Sequence, residues 1–111
     1  MKIKTKDLTG AALDWAVAKC ENSDTSIEHF IAMHSHYAYD HGTFDYSTNW
    51  AQGGPIIERE GITLRCGLHG WDAELEEFDA ISHGPTALIA AMRCYVASKL
   101  GDEVDIPEGL L

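Results

Sequence analysis

The sequence predicts a small α+β domain in which two to four helices pack on a small antiparallel sheet, an α/β sandwich in type. Three observations predict it. Apolar side chains recur at helical spacing over residues 8–20 and again over 85–100. Residues 62–76 alternate apolar and polar side chains on either side of His69-Gly70, the period of a half-buried hairpin. A chain of 111 residues, 45% hydrophobic and 23% charged, has the size and composition of one folded domain. No repeat, linker or low-complexity tract divides it, so residues 1–111 read as a single domain with an acidic tail at about 102–111. No window approaches 18 consecutive apolar residues, and Met1 to Lys6 is not followed by a signal-peptide stretch, so neither a membrane nor an export route is expected.

Each element has a local cause. Residues 2–5 alternate Lys with Ile and Thr and predict a short edge strand whose lysines discourage further pairing. Asp7 or Thr9 can cap a helix running to about Cys20, with Leu8, Ala12, Trp15 and Ala16 on one side and Leu13 and Val17 beside it. Thr25-Ser26-Ile27-Glu28 has the form of a capping box, and Ile27, Phe30, Ile31, His34, Ala38 and His41 predict a helix over about 26–40. Gly53-Gly54-Pro55 reads as the start of a short helix that Gly61 closes. Ile62, Leu64, Cys66 and Leu68 are expected to face inward on one strand, and Trp71, Ala73 and Leu75 on its return partner. Asp72, Glu74 and Glu76 would then form a wet, acidic face. Gly84-Pro85 repeats the Gly-Pro start, and Leu88, Ile89, Met92, Tyr95, Val96 and Leu100 form a broad apolar stripe that ends at Gly101. Four alanines in this last helix, Ala87, Ala90, Ala91 and Ala97, let it lie close to a sheet. Asp102 to Leu111 reads as an extended tail.

Three segments in order resemble the phage NinX-like family. They are Leu8-Thr9-Gly10-Ala11-Ala12-Leu13-Asp14-Trp15-Ala16-Val17-Ala18, then Asn49-Trp50-Ala51-Gln52-Gly53-Gly54-Pro55-Ile56-Ile57-Glu58, then the run from Gly84 to Gly101. Residues 22–45 lie outside the resemblance, and the hairpin region 62–80 follows it loosely. What the resemblance implies is a small accessory protein of lambdoid phages and prophages, a host-cytoplasm location and an α/β sandwich-type domain. It implies no activity.

The net charge of −10 is unevenly spread. Lys2, Lys4, Lys6 and Lys19 outweigh Asp7 and Asp14 near the N-terminus, while acid is dense at residues 72–79 and 102–108. Such a surface repels phosphate backbones and suits a protein partner, host or phage, better than nucleic acid. A homo-oligomer is a further open alternative. The three cysteines, Cys20, Cys66 and Cys94, form an odd set without a C-x-x-C and sit among apolar neighbours, which predicts reduced, buried thiols.

Two constellations could carry chemistry. His36 and Asp40, four residues apart, could face one ion from a helix, but no metal-site spacing completes them, and solvated histidines are the simpler reading. The segment from Tyr46 to Arg59 is the other. There a helix starting at Pro55 would leave free amides, Gly53 and Gly54 would let a ligand approach, Trp50 and Tyr46 could stack on it, and Asn49, Gln52 and Arg59 could bind its polar groups. No lysine of a P-loop and no nucleophile elbow accompanies it, so no cofactor and no catalytic residue is expected. The expected function is therefore a non-catalytic protein-binding module, with a small-ligand, nucleotide-like sequestering protein built on the Trp50–Pro55 cradle as the alternative. Titration against duplex DNA at physiological salt should show no appreciable binding; a steep salt-dependent isotherm at micromolar protein would overturn this reading of the charge.

Overall fold

The computed structural model describes residues 1–21, 26, 27, 30 and 44–110. Strand β1 (Lys2–Lys4) pairs antiparallel with the last strand of the chain, β5 (Glu103–Asp105). This corrects the expected extended tail. Val104 and Ile106, two apart and surrounded by acids in the sequence, are both buried, and the Ile106 amide donates to the Met1 carbonyl at 2.9 Å. The register sets Lys2 opposite Asp105 and Lys4 opposite Glu103, so two of the N-terminal lysines face carboxylates across the ladder.

Three helices are described: α1 (Gly10–Glu21), α2 (Trp50–Glu60) and α3 (Ala87–Leu100). The second sheet is antiparallel in the order β2 (Thr63–Gly67), β3 (Gly70–Leu75), β4 (Ala80–Gly84). The α+β class is thus as expected. Helix α3 packs on β4 and β3, and α1 and α2 pack on its other sides, so α1 lies against α3 rather than on the sheet as the sequence suggested. Ala87, Leu88, Ala90, Ala91, Met92, Cys94, Tyr95 and Val96 are all buried. A helix apolar on nearly every side must be covered on nearly every side.

Strand β4 was not expected. Its inward positions are Ala80, Ser82 and Gly84, and its outward ones are Ile81 and His83, the reverse of an apolar-in alternation. The inner residues are small because α3 lies close: a Cβ on Gly84 would stand 2.7 Å from the Ala90 amide nitrogen. The hairpin itself is present, but its tip departs from the expected burial. Cys66 is exposed and Leu68 is 98% exposed, because β2 is the strand farthest from α3 and no described element covers its outer half. The other two cysteines are shielded, and burial pushes the Cys94 thiol up to about 11 and the Cys20 thiol to about 12. The acidic ladder is also shorter than expected. Glu76 belongs to a 3-10 turn, Glu74 pairs with Arg65, and Asp72 pairs with His83 at 2.9 Å.

Neither Gly-Pro motif supplies the first helical residue: Gly53-Gly54-Pro55 lies within a helix, and Gly84-Pro85 lies just before one. Helix α2 begins at Trp50, where the Asn49 side chain accepts from the Ala51 amide at 2.9 Å, and Gly53, Gly54 and Pro55 lie inside it. Pro55 has no N–H to offer the Ala51 carbonyl, but both residues are exposed and water can take its place. Gly53 is required by packing: a Cβ there would come within 2.5 Å of both Leu88 Cδ1 and the Tyr46 carbonyl oxygen. In α3, Thr86 is the cap and Pro85 precedes it, with Thr86 Oγ1 accepting from the Ile89 amide at 3.1 Å. The helix expected over 26–40 lies outside the described residues except at three positions. One of these is Phe30, which is buried edge-on against Trp15 and stacked on Phe44.

Met92, fully buried in α3, tests the core. Met92→Ala should lose about 2–5 kcal/mol in urea unfolding, and Ile89→Ala, only half-buried, should lose less. Equal losses below half a kilocalorie would show that α3 is not the packed centre.

Candidate binding cleft

The loop before α2 is held by a buried carboxylate. Asp14 of α1 is 2% exposed, and its Oδ1 accepts from the Ser47 amide at 2.8 Å. Within the loop, the Asp45 amide donates to Gln52 Oε1 at 2.8 Å and the Asn49 amide to the Asp45 carbonyl at 2.8 Å. Asn49 caps α2, and Tyr46 is half-buried with its ring stacked on Phe44. Three of the expected ligand residues, Tyr46, Asn49 and Gln52, therefore make structural contacts.

Trp50 does not share that fate. It is 54% exposed at the first position of α2, and one turn later Gly54 leaves room beside its ring, a Cβ there falling 3.7 Å from Trp50 Cε3. The indole forms one wall of a cleft of about 460 Å³ together with Ser47 and Thr48. Trp71 of β3 and residues 85–89 at the start of α3 complete the lining. Trp71 was read as an ordinary inward strand position. It follows Ala73 and Leu75 on the covered face of β3 but lies opposite Gly84, where α3 has not yet begun, so it is only half-buried.

The cleft does contain a helix N-terminus, though not the expected one. The amides of Gly54, Ile56 and Ile57 are inside α2, so the cradle anticipated at Gly53-Gly54-Pro55 is not formed. The terminus beside Trp50 is that of α3, where Thr86 Oγ1 takes the Ile89 amide and the Thr86 carbonyl takes the Ala90 amide. The Ala87 and Leu88 amides precede any acceptor the helix itself can supply. None of the residues lining the cleft is charged.

Arg59 is also displaced from its expected role. It lies nine residues beyond Trp50, roughly 13 Å along the axis of α2. There it donates to both carboxylate oxygens of Glu21 at 3.0 and 2.8 Å and to the Tyr95 hydroxyl at 3.1 Å. This cluster joins all three helices. The Arg59 guanidinium holds the Glu21 carboxyl below its ordinary value, and burial with the neighbouring Glu21 raises the Tyr95 phenol. His36 and Asp40 lie outside the described residues. Among those described, no group of three or more His, Cys, Asp or Glu side chains could hold a metal.

The family model described as Bacteriophage P22, NinX matches residues 4–99. The chain belongs to this NinX family. The matched span takes in Asp14, the 44–49 loop, both cleft tryptophans and α3 up to its last residue but one, and stops before β5. No curated protein matches the chain. Among the described residues, no helix is long and apolar enough to cross a membrane.

The Glu21–Arg59 pair makes stability depend on pH. Because the Glu21 pKa is lowered from 4.5 on folding, its contribution is full above that value and is lost as pH falls through the lower, folded one. Urea midpoints measured from pH 7 down to pH 3 should fall less steeply in Glu21→Gln than in the parent chain. Parallel profiles would show that the pair does not couple folding to protonation.

Proposed function

We propose that this chain is a non-catalytic phage accessory module that binds a host or phage protein in the host cytoplasm through the Trp50–Trp71 cleft. One observation carries the reading: a tryptophan more than half exposed at the mouth of an uncharged cleft, with a second indole in the same cleft. Large rigid aromatics beside an open groove are what dominate binding energy at protein interfaces, where covering each of them removes a broad apolar area from water. The cleft's polar groups are hydroxyls and backbone amides, which hold a partner rather than transfer protons, in keeping with binding without catalysis. The excess of acid over the rest of the chain disfavours nucleic acid as that partner. The sequestering alternative relied on free amides at 54–57, which α2 uses internally.

A photo-crosslinking residue placed at Trp50, and separately at Glu108 as a control, tests this in phage-infected host cells. The expected result is one discrete adduct with another polypeptide from position 50 and none from 108. Indistinguishable adducts from the two positions, or a stoichiometric small molecule released when the purified protein is denatured, would overturn it. An adduct of twice the chain mass would make the partner a second copy of the chain.

A further inference from the structure

We infer that the cleft recognises the free carboxylate end of a partner polypeptide, with the carboxylate at the start of α3 and an apolar last side chain between Trp50 and Trp71. This rests on the protein-binding reading and names its ligand chemistry. Two independent features line this one cleft. The first is the N-terminus of a fourteen-residue helix, which carries partial positive charge and the unclaimed Ala87 and Leu88 amides. The second is Ser47. It is 2% exposed, it lines the cleft, and its hydroxyl has no hydrogen-bond partner among the described residues. No unpartnered side-chain oxygen among those residues is sealed from solvent, so the Ser47 hydroxyl keeps some exposure, and Ser47 lines the cleft. A buried donor left without a partner gains most from a ligand oxygen.

The surrounding chemistry narrows the ligand. The cleft has no Lys or Arg side chain, so it lacks the counter-charge that a phosphate dianion needs. It has no carboxylate side chain either, and Asp14, which holds the Ser47 amide, is not among the lining residues. A single negative charge on two oxygens matches two amides and a hydroxyl. Glu76, Glu77 and Asp79 lie on the turn whose Phe78 ring meets Lys99, and Asp102 and Glu103 follow the end of α3. These acids therefore gather at the far end of the helix, leaving its N-terminus as the favourable place for an anion. Beyond the carboxylate, the apolar walls of Trp50, Pro85 and Ile89 run out to solvent, so the chain leading to the last residue has a path out.

The test selects random decapeptides displayed with free C-termini on the full-length chain, with Trp50→Ala protein as the counter-selection. Enriched peptides are then synthesised with a free carboxylate and with a C-terminal amide, and their affinities are measured by fluorescence anisotropy. Enriched sequences should end in a large apolar residue, and amidation should weaken binding by about tenfold or more, the worth of one or two charge-assisted hydrogen bonds. Ser47→Ala should weaken the acid form and leave the amide form unchanged. Equal affinity of the two forms would overturn the carboxylate and leave protein binding at the cleft standing. Failure to enrich any peptide that depends on Trp50 would overturn both. Competition by N-acetyl-leucine at the peptides' own concentration range would make the ligand a free small acid and overturn the polypeptide source.

Discussion

Helix α3 has almost no free face, and the arrangement of the molecule follows from covering it. Eight of its residues are buried, over about two-thirds of its circumference, and the remaining sector, with Ile89, Arg93 and Ala97, is half-buried. The sheet takes one side, and α1 and α2 take the others. Close cover requires small residues where backbones meet, which is why Gly84 faces Ala90 and Gly53 faces Leu88 with no space for a Cβ. Either contact would have to open by roughly an ångström to admit an alanine, separating α3 from β4 or from α2.

The cleft is what remains where that cover ends. Strand β3 begins with Gly70 and Trp71 before α3 has started, and α2 begins with Trp50 at the same end of the fold. Two large side chains thus flank the helix N-terminus without any further layer over them. Their position depends on contacts remote in sequence: Asp14 on α1 fixes Ser47, the loop through Asp45 and Asn49 starts α2, and the start of α2 places Trp50. A cleft supported in this way is held by the core itself, with its aromatic walls fixed in place by the fold.

Charge is arranged to lock elements together more than to advertise a surface. Arg59, in one residue, draws together Glu21 of α1 and Tyr95 of α3 from its place on α2. Glu60 and Lys99 extend the network at 3.7 Å. Two of the N-terminal lysines, Lys2 and Lys4, lie across from acids of β5 in the ladder, which offsets part of the basic segment's charge.

By itself the sequence determined a helix over about 85–100, which forms at 87–100, most of α1, a hairpin over 62–76, which forms at 63–75, the α+β class and the NinX resemblance, because each rests on local periodicity or on contiguous motifs. It also singled out Trp50 and the attraction of a helix N-terminus. Tertiary structure decided the rest, for reasons that no local pattern records. Pairing of β1 with β5 joins the two ends of the chain, and β4 buries its small residues because a helix lies close above them. Gly53, Gly54 and Pro55 punctuate a chain read alone. The Asn49 cap and the close approach of Leu88 instead place them inside α2, and the free amides beside Trp50 become those of α3, more than thirty residues away in the chain but adjacent in the folded protein.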